Sequence, residues 1–190
     1  MADFHLNGNF QQITIDPTAH VELGQDITLR SFVCLEVGNG ATLKLGNRVF
    51  FNNHCSIRCE HHIEIGKDTM FGDGVRIFDH NHQYSNYHVE KIAFNYGKIS
   101  IGKNCWIGAN VVILKGVTIG DNVIIGAGAV IHKDIPSNSI VVSKEELIIK
   151  ERPQLQHHVF TLTASDTLEN LTYLVENLPE VSFHIAAKTN

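Results

Sequence analysis

Histidine dominates the chemistry that this sequence could perform. Twelve occur in 190 residues. His54, His61, His62, His80, His82 and His88 fall within one span of the chain. A neutral imidazole can take a proton near pH 7, and three together can hold a zinc ion that keeps one coordination position open. Around His80 and His82 runs Phe78-Asp79-His80-Asn81-His82, a polar excursion in otherwise apolar surroundings. The four cysteines, Cys34, Cys55, Cys59 and Cys105, include no CxxC pair. Cys55, Cys59, His61 and His62 could form a structural metal site, but their spacing matches no strong zinc pattern. Reduced thiols in a cytosolic protein are the simplest reading. Cys55 and Cys105 each stand two residues before an aliphatic, Ile57 and Ile107, where a small side chain fits. Trp106 is the only tryptophan.

The elements that must carry these residues follow a period of six. An aliphatic returns at Ile101, Ile107, Ile113, Ile119, Ile125 and Ile131, with glycine behind it at Gly102, Gly108, Gly120 and Gly126. Neither a helix nor a long alternating strand has that period, whereas a parallel β-helix does. Each hexad is then a short strand and a corner, with glycine or asparagine where positive φ is needed. Three hexads make one triangular coil, and stacked coils bury a continuous aliphatic ladder that no single coil could bury. The fold class is therefore all-β, a parallel β-helix of hexapeptide repeats with a protruding loop.

Earlier in the chain the beat is looser. Residues 1–12 read as an irregular lead-in. The beat slips at Val37–Thr42, a small corner loop, and again at His61-His62. It stops over the loop 79–98, which carries Tyr84, Tyr87, Phe94 and Tyr96 among polar residues; a long connection of this kind is usually functional. Lys133-Asp134-Ile135-Pro136 ends the last full coil, and residues 141–152 close its open end, since an exposed strand edge must be covered. Residues 1–152 thus form one domain. Residues 153–190 switch to a β-α-β pattern, a short α/β extension too small to bury a core alone and readable as a fragment of a further domain. The formal net charge is −5, with 43% hydrophobic and 18% charged residues. No basic cluster argues for a nucleic-acid or membrane-surface partner, and no signal-like or membrane-length run is present. A cytoplasmic location is the expectation.

From Leu45 to Arg152 the chain resembles the hexapeptide-repeat acyltransferases, in particular the galactoside, maltose and capsular-polysaccharide O-acetyltransferases. The residues that carry the likeness are VRIFDHNH at 75–82, WIGANVVI at 106–113, GVTIGDNV at 116–123, GAGAV at 126–130 and KDIP at 133–136. The resemblance implies a left-handed helix, against the usual right-handed crossover preference. It also implies a base 24 residues before the tryptophan, which selects His82 over His80; Gln83 stands where the family often has proline.

By the same likeness Asn52 and Glu60 would touch the acceptor, with His80 beside them. Trp106 would pack on the substrates, and the Ala109 N–H would donate to the oxyanion, a group worth about 3 kcal/mol. Ala109, Gly126 and Ala127 would line the pantetheine of coenzyme A, with Lys133 and Arg152 meeting its phosphates. The implied reaction is direct acetyl transfer from acetyl-CoA to a sugar or glycan hydroxyl. It needs no metal and no acyl-enzyme, and its sites would lie between neighbouring chains of a homotrimer. Either Asp79 or a backbone carbonyl would orient the His82 ring. Three other readings stand beside it: a γ-type zinc carbonic anhydrase, an N-acetyltransferase for an amino-sugar, and a non-catalytic assembly module.

Overall fold

Twenty short strands follow from the six-residue beat in the computed structural model, which describes residues 4–85 and 88–143. Eighteen of them stack in parallel as three sheets. The first holds Phe4–Leu6, Ile27–Leu29, Phe50–Phe51, Met70–Phe71, Trp106–Ile107, Ile124–Ile125 and Ile140–Val141. The second holds Gln12–Ile15, Cys34–Val37, Ser56–Cys59, Arg76–Phe78, Val112–Ile113 and Val130–Ile131. The third holds His20–Leu23, Thr42–Leu45, His62–Ile65, Ile99–Ile101 and Thr118–Ile119. The chain visits them in that order, so each coil turns a first corner (first to second sheet), a second corner and a third. This is the left-handed parallel β-helix, of about six turns.

Register explains why the beat must be strict. Trp106 pairs with Ile124 and Ile107 with Ile125, eighteen residues on. An inward apolar side chain therefore lands on the inward apolar side chain of the next coil. Ile57, Ile63, Ile77, Ile99, Ile107 and Ile113 are fully buried, and each such side chain contributes roughly 2–3 kcal/mol. Phe51 and Phe71 stack in the same ladder with ring centroids 4.6 Å apart. Where coils approach at the third corner only glycine fits: a Cβ on Gly66 would stand 2.6 Å from the Gly102 carbonyl carbon. Three cysteines join this core. Burial pushes the Cys55 thiol up to about 11 and the Cys59 thiol up to about 12, so both are protonated and unreactive.

Two expectations are corrected. The 79–98 loop is not irregular, because His80–Ser85 and His88–Tyr96 pair as an antiparallel hairpin. Most of its side chains are exposed, so no buried face writes a period into the sequence. The lead-in is not irregular either. Phe4–Leu6 pairs with Ile27–Leu29, and Gln12–Ile15 with Cys34–Val37. This first coil is largely exposed on its outer end, which is why its beat is weak. At the far end Asp134 accepts a hydrogen bond from the Thr118 N–H (2.7 Å), Ile135 bridges Ile119, and the chain returns to the first sheet at Ile140–Val141. The extension 153–190 lies outside the described residues. Among those described, no helix is long and apolar enough to cross a membrane.

Candidate active site

The hairpin leaves the second corner, and its strand alternation decides what His80 and His82 can do. Side chains two apart share a face, so both rings lie against Phe94, at 4.8 and 4.9 Å between centroids. His82 Nδ1 is 2.9 Å from the Glu90 carbonyl oxygen. A carbonyl can only accept, so Nδ1 carries the hydrogen and the lone pair sits on Nε2, the state a general base requires. The orienting group left open between Asp79 and a carbonyl is thus the carbonyl. His82 is exposed, and its Nε2 has no hydrogen-bond partner among the described residues.

Asp79 serves His80 instead. Its carboxylate is fully buried. Oδ1 accepts from the Glu60 N–H (2.9 Å), and Oδ2 from the His61 and His62 N–H groups (2.8 and 2.7 Å). His80 Nδ1 donates to Oδ1 at 3.1 Å. One carboxylate therefore ties the root of the hairpin to the preceding coil's second corner, absorbing the slip at His61-His62. The His80 side chain is 13% exposed and is wedged rather than presented. Glu60 lies at the same corner, where burial raises its carboxyl above the usual range while nearby His80 pulls it back.

Asn52, Trp106, Ala109, Gly126 and Ala127 belong to a different place, the first corner and the strand that enters it. Asn52 Nδ2 and Asn53 Nδ2 donate to the two oxygens of Asp73, each at 2.9 Å. Asp73 went unnoticed in the sequence, although it holds in its hexad the place that Ala109 holds in the next. Trp106, 54% exposed, lies on the outside of the first sheet between Met70 and Ile124. Lys133 is exposed at the second corner, away from Ala127, and Arg152 lies outside the described residues. One chain thus gathers its predicted residues into two groups at two corners.

The corner geometry leaves some N–H groups open, that of Ala109 among them. At four equivalent places a corner N–H is closed by a side chain of the next coil: Asn9 by Ser31 Oγ (3.2 Å), Gln25 by Asn47 Oδ1 (2.9 Å), Lys103 by Asp121 Oδ1 (2.9 Å) and Asp121 by Ser137 Oγ (3.0 Å); those of Ser31, Asn47, Lys67 and Asp73 have no acceptor among the described residues. For Ala109 the next coil offers Ala127, whose methyl accepts nothing. The Ala109 N–H accordingly has no acceptor among the described residues. An open N–H held by the coil is suited to a developing oxyanion. For the zinc reading, no three His, Cys, Asp or Glu side chains among the described residues stand close enough to hold an ion.

Comparison with known proteins fits this picture. Residues 98–133 match the family of bacterial transferase hexapeptide repeats, and residues 159–190 match the GftB/GlyA-F C-terminal domain. A provisionally named acetyltransferase of Schizosaccharomyces pombe is 36% identical over 104 residues, 54% of this chain and 50% of its own. The chain thus spans about half the length of that relative. A provisionally named lipopolysaccharide-biosynthesis O-acetyltransferase of Escherichia coli K12 is 26% identical, over 69% of this chain and 71% of its own. Among solved structures, the N-acyltransferase AntD of Bacillus cereus, with dTDP-4-amino-4,6-dideoxyglucose and coenzyme A, superposes with a TM-score of 0.58. It is 18% identical over 78% of this chain and 84% of its own, a likeness of fold.

Proposed function

We propose that this chain, whose residues 98–133 match the bacterial transferase hexapeptide repeats, transfers an acetyl group from acetyl-CoA to a hydroxyl of a sugar or glycan. The observation that carries the reading is the pair of half-sites: a base with a free Nε2 at the second corner and an open N–H at the first. The acceptor oxygen attacks the thioester carbonyl while His82 Nε2 takes its proton. The carbonyl oxygen becomes an oxyanion that the Ala109 N–H stabilises. Collapse breaks the C–S bond, and the leaving thiolate takes the proton back from His82. Acetyl ester and free coenzyme A are the products, and His82 ends as it began.

His82 and Ala109 sit at different corners of one prism, which supports a homotrimer in which one chain's hairpin faces its neighbour's first corner. Exposed Met70, Trp106, Ile124 and Ile140 form an apolar row on the first sheet that a neighbouring chain would cover. The reading places the protein in the cytoplasm, where acetyl-CoA is made, and treats residues 153–190 as an appended element rather than part of the site. Thiol release from acetyl-CoA over matched hydroxyl and amino sugars tests the proposal. Release should depend on a hydroxyl sugar and fall at least about 100-fold in His82→Ala. Release with amino-sugars alone would make the chain an N-acetyltransferase, and an unchanged rate in His82→Ala would remove the base.

A further inference from the structure

The first corner places one residue per coil in the left-handed region: Phe10, Phe32, His54, Gly74, Asn110 and Gly128, with φ from 57 to 76°. At the third corner the same place is taken by Asp26, Arg48, Asp68, Asn104, Asn122 and Asn138. Five of those six are Asp or Asn, the residues that tolerate this backbone best. Two phenylalanines there are costly on backbone grounds, and they are not repaid by burial, since Phe10 is 77% and Phe32 48% exposed. What they build is a column of rings. Phe10 stacks on Phe32 at 5.3 Å and 15°, and Phe32 on His54 at 4.8 Å and 2°. That spacing is the distance between neighbouring strands, so the column is imposed by the coil repeat.

The column ends at His54, two residues after the candidate acceptor residue Asn52. Gly74 is the next rung and has no side chain, and the His54 side chain is exposed. The rung has a polar wall. A Cβ on Gly74 would run into Asn110 Oδ1, so that amide leans across the rung. Asp73, one residue away, presents the carboxylate that Asn52 and Asn53 hold in place. A flat ring face beside an oriented carboxylate and amide combines a surface for C–H groups with acceptors for hydroxyls. A purely apolar ligand would leave those oxygens without partners, at a cost.

We infer that the exposed His54 ring and the Asp73–Asn110 wall beside Gly74 form a saccharide-binding subsite, in which a pyranose ring stacks on His54 and gives its hydroxyls to Asp73 and Asn110. The assignment rests on the acetyl-transfer reading for its choice of a sugar, but its test does not. The Phe10–Phe32 column holds the His54 ring flat before the ligand arrives, which lowers the entropy lost on binding.

The test is ligand-observed NMR titration of the intact chain with the methyl glycosides of galactose, mannose and N-acetylglucosamine, and with thymidine as a nucleobase control. His54→Asn suits the left-handed backbone and removes the ring, whereas His54→Phe keeps a ring. At least one glycoside should bind, about tenfold more weakly in His54→Asn, and His54→Phe should retain binding. Acetyl-CoA affinity should be the same in all three proteins. Equal binding by His54→Asn, tighter binding of thymidine, or no glycoside bound by the wild type overturns the subsite. So does a change in sedimentation of His54→Asn with glycoside binding intact, which makes the column a contact between copies of the chain. Thiol release, measured separately, tells failure of the subsite from failure of the acetyl-transfer reading.

Discussion

Ala127 controls a hydrogen bond that it does not make. Because Ser31 and Ser137 close the equivalent N–H groups of Asn9 and Asp121, Ala127→Ser should close that of Ala109. The change adds one hydroxyl at an exposed corner and leaves the aliphatic ladder alone. Its expected effect is a fall in kcat of roughly 10- to 100-fold with little change in thermal midpoint, read by steady-state kinetics beside a melting curve. His62 makes a prediction of the opposite kind, on stability alone. Its Nε2 is buried without a hydrogen-bond partner, and burial, followed by the nearby Lys98, lowers its pKa from 6.5. The folded protein therefore resists protonating His62 while the unfolded chain does not. Stability from this group is complete above pH 6.5 and is lost as the pH falls below that value. His62→Gln should flatten this acid limb in urea titrations made across that range. The two roles were not equally legible in the sequence. His82 could be counted back from Trp106 through the family likeness. The carbonyl that orients it could not, because a backbone oxygen eight residues away leaves no mark in the side chains.

At the scale of elements, the hairpin works only if its root is fixed, and Asp79 is what fixes it. Asp79→Ala would leave the N–H groups of Glu60, His61 and His62 without their acceptor at a buried corner, and His80 without its partner. The expected loss is on the order of 3 kcal/mol, seen as a lower urea midpoint at unchanged slope. Asp79→Asn keeps one acceptor oxygen and should lose less. The same contrast explains what the hexads could reveal. An inward Ile every sixth residue is forced by stacking, so the prism is written along the chain from Leu45 to Pro136. The hairpin is held by backbone pairing and by one carboxylate, and its outward side chains are free to vary. Its composition therefore resembles that of a loop. The first coil has the same difficulty: Ile13, Ile15 and Leu23 are 39, 44 and 38% exposed, so the end of the prism blurs the period that its middle enforces.

For the whole molecule, what matters is that the proposed base, His82, and the proposed oxyanion donor, Ala109, sit on different corners of one prism. If each site joins the hairpin of one chain to the first corner of the next, two inactive chains can repair each other. His82→Ala lacks the base but keeps an intact first corner. Ala127→Asp keeps the hairpin but fills the corner, placing a carboxylate where Asp121 sits relative to Lys103. Unfolded together and refolded as mixed trimers, they bring an intact hairpin beside an intact corner at about one site in four. Roughly a quarter of wild-type activity should then return, while each variant refolded alone stays inactive. Sites built within a single chain would return nothing on mixing, because every chain carries one defect. The same mixture tests the apolar row on the first sheet. Ile124→Glu places a charge beside Trp106, where a neighbouring chain would have to bury it without a partner. Introduced into both variants, it should abolish the recovery and shift sedimentation toward the single chain. The far-ultraviolet spectrum of the β-helix should not change, since Ile124 points outward and the ladder behind it is untouched.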